Sequence, residues 1–438
     1  MSNTVILGAG PSGLACAYEI LRNNRKNKVI ILEKENRVGG LCRNYYLDGN
    51  TFDAGGHRFS TDIKEVNSLW HHILKGHAIK VRKKVGIYYQ GKTIDYPIRI
   101  DQIIKKYGIG FGSDIIKDYI ITKIKNIARK DKDNNFESIM KRKFGSKLYN
   151  SFFKPYSEKV WGVKAIEISE NLAKTRIEPK NLLSAIRKSK SEKQEYFLYP
   201  KKGSGEFYDL MEKEIEKKGC TIEKNAKITK IHHKNKRIKE ITYIINKNKK
   251  TILCDSLIST IPIKDLILLL EPKIDIPNKN LRYRSLITIF LTTKQKLSTD
   301  FCWVYIHSSG IKASRLQIYK NWNKEMCKDE CLGLEYHCSY NDKLWKLNNS
   351  KLAEQAKDDL IKLNIIKTKG DIKSTKVAKL SHAYPLMIKG YKKESEEIKK
   401  QLFKIKNLRL AGRNGTHSYI DMDKAIMSGI NAARKIKS

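Results

Sequence analysis

The chain has 438 residues, of which 88 are Lys or Arg and 46 are Asp or Glu, giving a formal charge of +42. That length exceeds one compact core, so two or three domains are expected, and no stretch reaches the roughly 18 apolar residues of a membrane span. The lysines run from end to end with no basic stripe of interleaved aromatics, which argues against nucleic-acid binding but leaves a field that draws anionic substrates or an acidic membrane surface.

The first element is a buried strand, Val5-Ile6-Leu7, followed by Gly8, Gly10 and Gly13 in G-x-G-x-x-G spacing and a helical period from Leu14 to Leu21. A second apolar strand, Val29 to Leu32, delivers Glu33. Gly8 permits the tight turn, Gly10 lets a pyrophosphate approach the backbone, and Gly13 lets the helix pack on the strand. The helix N-terminus, with Ser12, offers N–H groups to phosphates, and Glu33 is placed to accept a ribose hydroxyl. This βαβ unit predicts an ADP-dinucleotide site. Arg37-Val38-Gly39-Gly40-Leu41 and Asp53-Ala54-Gly55-Gly56-His57-Arg58-Phe59 follow at once. Paired glycines after the ribose acid favour FAD over NAD.

Strands are expected at Val85 to Tyr89 and Lys92 to Asp95, then helices from Ile100 to about Lys190, with a charged linker from Ser189 to Glu195. A strand at Tyr196 to Tyr199 leads into a glycine loop, a helix from Glu206 to Lys218, and strands at Lys227 to His232 and Ile238 to Ile245. Leu257 to Pro262 reads as a short buried strand, and a strand-rich block spans Leu286 to Tyr340. Leu408 to Ala411, the turn Gly412-Arg413-Asn414-Gly415 and a helix from about Met422 close the chain. The expected organisation is a discontinuous FAD-binding domain (1–80, 196–265 and 375–438), a mainly helical substrate region (81–195) and an antiparallel sheet region (266–374). The eight scattered cysteines are no disulfide framework. Cys327, Cys331 and Cys338 with His337 fit no common metal spacing, so no metal is expected. The first strand opens too early for a signal peptide, and a cytosolic protein is expected.

Four further segments carry a resemblance: Gly56-His57-Arg58-Phe59, Phe153-Lys154-Pro155-Tyr156-Ser157-Glu158-Lys159-Val160-Trp161-Gly162, Tyr283-Arg284-Ser285-Leu286 and Tyr419-Ile420-Asp421-Met422-Asp423. They resemble, in order, the G-x-H-x-F, Y-T-x-K-Q-W-G, Y-R-S-L and Y-x-D-M-D motifs of the UDP-galactopyranose mutases, in the superfamily of amine oxidases and protoporphyrinogen oxidases. The resemblance covers essentially the whole chain. It implies an α/β fold with a Rossmann-like (GR2-type) FAD domain, an inserted helical region and an antiparallel substrate sheet. It implies that Gly8, Gly10, Ser12, Gly13, Glu33, Gly39, Gly40, Leu41, His57, Arg58, Gly412, Arg413, Asp421 and Met422 hold FAD. Tyr156 and Trp161 would contact the nucleoside and sugar region, and Arg176, Arg284 and Tyr419 the diphosphate, with His57, Arg176 and Arg284 the catalytic set. The implied activity interconverts pyranose and furanose forms of a nucleotide sugar through a reduced-flavin N5–sugar adduct. The alternative is an FAD-dependent oxidase or dehydrogenase with an apolar substrate cavity. One position departs from the pattern: Ser418 stands where the bacterial mutases have an arginine, and His417 is a candidate to compensate. A nucleotide sugar is the expected partner, with peripheral membrane association open.

Overall fold

The computed structural model describes residues 3–23, 28–128, 135–176, 195–277 and 279–436. Its first layer is a five-stranded parallel sheet ordered Leu408–Leu410, Ser256–Ser259, Asn3–Leu7, Lys28–Leu32 and Thr221–Glu223. The central strand pairs Thr4 with Val29 on one side and with Ser256 on the other. Val5, Ile6 and Leu7 are completely buried, as befits a parallel strand covered on both faces. One face is covered by the first helix (Pro11–Asn23), the last helix (Met422–Arg434) and the helix Gly205–Glu216, whose Leu14, Ile426 and Met211 share one core cluster. The other face packs on a four-stranded sheet through Ile231 and Ile241 and on the helix Ile263–Leu269 through Leu266.

A seven-stranded sheet forms the second layer, ordered Ile372–Pro385, Tyr283–Thr293, Glu330–Cys338, Arg315–Ile318, Trp303–Ile306, Val85–Tyr89 and Lys92–Asp95. It is antiparallel except where Trp303–Ile306 runs parallel to Val85–Tyr89. Two parts of it lie outside the span 266–374 read from the sequence. The hairpin Val85–Asp95 joins from the stretch expected to be mainly helical, and the strand Ile372–Pro385 crosses the expected boundary, pairing with Tyr283–Thr293 along its length. Helices fill much of Ile100–Arg176, among them Ile109–Ala128 and Lys154–Trp161. The expected linker from Ser189 lies outside the described residues up to residue 194.

The two layers are stitched where the chain passes from one to the other. Thr288 donates its hydroxyl to the Ala54 carbonyl at 2.7 Å, and the Tyr319 hydroxyl donates to the Asp53 carbonyl. The start of the loop of residues 53–59 is therefore tied to the seven-stranded sheet, and Phe59 at its end packs in the core cluster that contains Ile6 and Val29 of the parallel sheet.

Candidate active site

The carboxyl edge of the parallel sheet ends in a cradle without side chains. Gly8 turns at φ +95°, and a Cβ on Gly13 would sit 1.9 Å from the Gly8 carbonyl oxygen. Strand and helix therefore touch backbone to backbone. A Cβ on Gly40 would sit 3.1 Å from Gly10 Cα, and the Gly39 N–H donates to the Ala9 carbonyl at 2.8 Å. Two glycine loops stacked at a helix N-terminus suit a pyrophosphate. Glu33 is buried beside them; its Oε2 accepts the Ala9 N–H at 2.6 Å and its Oε1 the Glu35 N–H at 3.0 Å. Burial raises its pKa and the two N–H bonds oppose the rise. Each oxygen retains a lone pair for a ribose hydroxyl. The cradle fits the ADP portion of a dinucleotide.

The other cofactor candidates divide. The Ser12 hydroxyl is committed to the Ala425 carbonyl at 2.7 Å, so this side chain ties the first helix to the last. Leu41 is half-buried against the core under the seven-stranded sheet. Gly412 closes on Ser12, where a Cβ would meet Oγ at 2.6 Å. Asp421 is exposed just before the last helix, and Met422 opens that helix half-buried. Arg58 is exposed, its guanidinium 5.4 Å from the Trp303 ring centre.

A second wall faces the cradle across the 53–59 loop. Arg315 Nε donates to Glu335 Oε1 at 2.8 Å and Nη2 to Oε2, while Gln317 Nε2 donates to Oε1 at 2.7 Å. Glu335 is completely buried. The remaining edge of the Arg315 guanidinium lies against Gly55 and Gly56. Arg413 holds its place through Nε to the Ile420 carbonyl at 2.9 Å, and its guanidinium lies 5.4 Å from the ring centres of both Tyr384 and Tyr419. His57 sits between these two arginines; burial, then Arg413, then Arg315 push its pKa down to about 3. It is a neutral imidazole at physiological pH, with Nδ1 lacking a partner among the described residues.

Aromatic rings complete that wall. Tyr156 stacks on His307 at 4.6 Å and meets Tyr305 edge-on at 5.5 Å. Trp161 meets Tyr419 at 5.5 Å and Tyr384 at 6.3 Å. Burial pushes Tyr384 up to about 12, so its hydroxyl stays protonated. The helix Lys154–Trp161 that carries Tyr156 and Trp161 is fastened by Lys159, whose ammonium is shared among the carbonyls of Ile306, Ser308, Ile311 and Ala313 at 3.0, 2.8, 2.8 and 3.2 Å. Beside this helix opens a cavity of about 820 Å³ bordered by Lys154, Lys159, Lys312 and Lys343.

Arg284 is elsewhere. It is 5% exposed, and its guanidinium donates to the carbonyls of Val160 at 3.0 Å and Lys159 at 3.4 Å and to Ser339 Oγ at 2.8 Å. It lies directly under Gly162, where a Cβ would meet its Nη1 at 2.4 Å. Arg284, expected at the diphosphate, places its guanidinium at the C-terminus of the Trp161 helix, on the carbonyls of Val160 and Lys159. Arg176 ends the helix Glu170–Arg176, and its side chain is outside the described part. His417 is buried edge-on to Tyr283 at 4.9 Å, and burial pushes its pKa down to about 4. It is neutral and supplies no charge in place of the missing arginine. Ser418 turns its hydroxyl to the Thr416 carbonyl at 3.1 Å.

The model of flavin containing amine oxidoreductases matches residues 11–437. The chain belongs to that family. It is similar to the UDP-galactopyranose mutase of Mycoplasma genitalium, 22% identical over 99% of this chain and 94% of that protein. It is also similar to the dTDP-fucopyranose mutase of Escherichia coli, 25% identical over 40% of this chain and 45% of that protein. Its fold matches a crystal structure of reduced UDP-galactopyranose mutase with a TM-score of 0.84 at 21% identity, covering 99% of this chain and 93% of the other. The α/β flavoprotein fold read from the motifs is the fold observed, and family membership implies a flavin cofactor.

Asp53, at the base of the 53–59 loop, gives this site a pH signature. Its carboxylate accepts the Tyr199 hydroxyl and, at 3.2 Å, the Ser204 N–H, yet burial raises its pKa to about 7. A carboxyl raised in the folded state holds protons that the unfolded chain has already released, so stability falls as pH rises from about 4 to about 7 and is flat above. The full loss is on the order of 4 kcal/mol. Urea unfolding at pH 5 and pH 8 is expected to show this decline in the parent and little of it in Asp53→Asn. Equal declines in the two proteins would assign the effect to other groups.

Proposed function

We propose that the chain is an FAD-dependent nucleotide-sugar mutase, interconverting pyranose and furanose forms of its substrate. The single observation that carries this reading is the wall opposite the glycine cradle. Two guanidiniums, Arg315 and Arg413, flank a neutral His57 within a frame of Tyr156, Trp161, Tyr384 and Tyr419. An amine substrate, itself a cation, calls for no such charge. A nucleoside diphosphate calls for aromatic faces for the base and planar forks for the phosphates.

In this reading Gly10, Gly39 and Gly40 admit the FAD pyrophosphate to the first helix N-terminus and Glu33 takes the ribose. The N-terminus of the last helix, at Met422, lends its positive dipole end to a reduced flavin. Reduced flavin supplies a nucleophilic nitrogen able to exchange with the nucleoside diphosphate at the anomeric carbon. Tyr419 and Arg176 would hold the departing diphosphate, with Arg315, whose charge is met by Glu335, offering only the N–H groups of its remaining edge beside Gly55 and Gly56. His57, uncharged across the working pH range, orients without donating a charge. Arg413 supplies the nearby positive charge that Ser418 cannot. The isomerisation is redox-neutral, so the reduced state is needed but not consumed.

The test is turnover. Protein reduced with dithionite is expected to convert UDP- or dTDP-hexofuranoses to the pyranose forms, followed by chromatography, and the oxidised protein is expected to be inactive. No isomer from any nucleotide sugar, together with bleaching of the oxidised flavin by an amine or a porphyrinogen, would overturn the reading.

A further inference from the structure

The helix Ile109–Ala128 leaves apolar surface where a folded chain normally buries it. Ile109, Ile120, Ile121 and Ile124 are 76%, 51%, 50% and 63% exposed, half of the strongly exposed aliphatic side chains among the described residues. Ile120, Ile121 and Ile124 fall on one face at helical spacing, and Lys117 sits one turn earlier on the same side. The opposite face is anchored: Ile115 and Tyr119 are buried in a core cluster with Ile103, Leu148 and Phe152. The exposed isoleucines are therefore not the by-product of a loosely docked helix.

The border of the patch is basic. Lys117 and Lys125 are exposed on the helix, and Lys105 and Lys106 on the adjoining helix Ile100–Tyr107 just before Ile109. The helix's own acids are occupied: Asp114 pairs with Lys147 at 3.4 Å, and Asp118 accepts the Lys147 N–H at 2.8 Å. An apolar stripe bordered by lysines on a chain of charge +42 is complementary to one kind of surface. A second copy would bring like-charged rims together, whereas an anionic bilayer satisfies both the isoleucines and the lysines. No helix among the described residues is long and apolar enough to cross a membrane.

We propose that this helix lies in the plane of an anionic phospholipid surface, with Ile109, Ile120, Ile121 and Ile124 in the headgroup–acyl boundary and the lysines among the headgroups. The inference is independent of which reaction the active site performs.

The full chain is to be co-sedimented, at physiological salt, with vesicles of phosphatidylcholine alone and with one-third phosphatidylglycerol. Binding at least tenfold tighter to the anionic vesicles is expected. The Ile120→Ser/Ile124→Ser variant should lose about tenfold or more of it, while Leu253→Ser/Leu268→Ser, at exposed aliphatic positions elsewhere, stays within twofold of the parent. All eight native cysteines are buried, so an Ile121→Cys variant can carry an environment-sensitive dye. Its emission should shift to the blue with anionic vesicles only. Equal binding of the isoleucine variant and the parent would reduce the effect to diffuse charge and overturn the proposal. So would equal affinity for neutral vesicles, or a parent dimer in sedimentation equilibrium that the isoleucine substitutions convert to monomer.

Discussion

Arg315→Met is expected to cost about 3–5 kcal/mol of stability and, on the proposed function, to lower kcat/KM for isomerisation by on the order of a hundredfold. The two losses have different causes. Glu335 is 0% exposed and takes both its strong bonds from the Arg315 fork, with Gln317 as its other partner. Removing the guanidinium leaves a carboxylate buried without its counter-charge, and that penalty is larger than the net worth of the pair itself. The paired variant Arg315→Met/Glu335→Met removes both charges and should regain most of the stability. It should regain none of the activity, because the guanidinium edge beside Gly55 and Gly56, the one left over by Glu335, is still absent. Urea unfolding and steady-state kinetics on the same three proteins separate the contributions. If the single variant unfolds no earlier than the double, Glu335 does not depend on Arg315 and the electrostatic description of this wall fails.

That pair also marks where sequence reasoning stopped. The βαβ unit, the glycine loops and the closing helix were legible because their signals are local: a run of apolar residues, a fixed glycine spacing, an acid at the end of the second strand. Arg315 and Glu335 meet only through the register of two antiparallel strands, directly opposite each other. A usable signal existed, since Glu335 is the lone acid inside the apolar run Leu332 to Tyr340, and a buried acid demands a partner. Nothing local said that the partner was twenty residues earlier. Arg284 shows the converse. A motif match conveys that an arginine is needed at that position but not whether it faces solvent, and here its donors serve the carbonyls behind Trp161. The strand Ile372–Pro385, which brings Tyr384 to the cleft, was missed because it has no apolar run. Its lysines at 373, 376 and 379 reach out to Asp329, to the Tyr46 carbonyl and to the carbonyls of Trp345 and Leu347.

Gly429→Ala should do as much damage as a substitution in the dinucleotide fingerprint, although no motif includes it. A Cβ there would lie 2.0 Å from the Ser12 carbonyl oxygen and 2.9 Å from its carbon. Both are backbone atoms of the first helix, so no rotamer change relieves the overlap. The last helix must move outward, breaking the Ser12–Ala425 bond of 2.7 Å and shifting its N-terminus at Met422. That terminus is where the proposed reduced flavin draws its stabilising dipole, so the variant should lose both stability, by about 3 kcal/mol or more, and bound flavin. Gly13→Ala, with its 1.9 Å overlap on the Gly8 oxygen, should match it. Gly110→Ala provides the contrast, since nothing lies within 4 Å of its Cβ and the site is helical; it should be neutral or more stable by at most about 1 kcal/mol. Flavin absorbance per protein and thermal unfolding of the three variants test this together. Full flavin content in Gly429→Ala would mean that the first and last helices do not set the cradle jointly, and that the glycine fingerprint holds the cofactor alone.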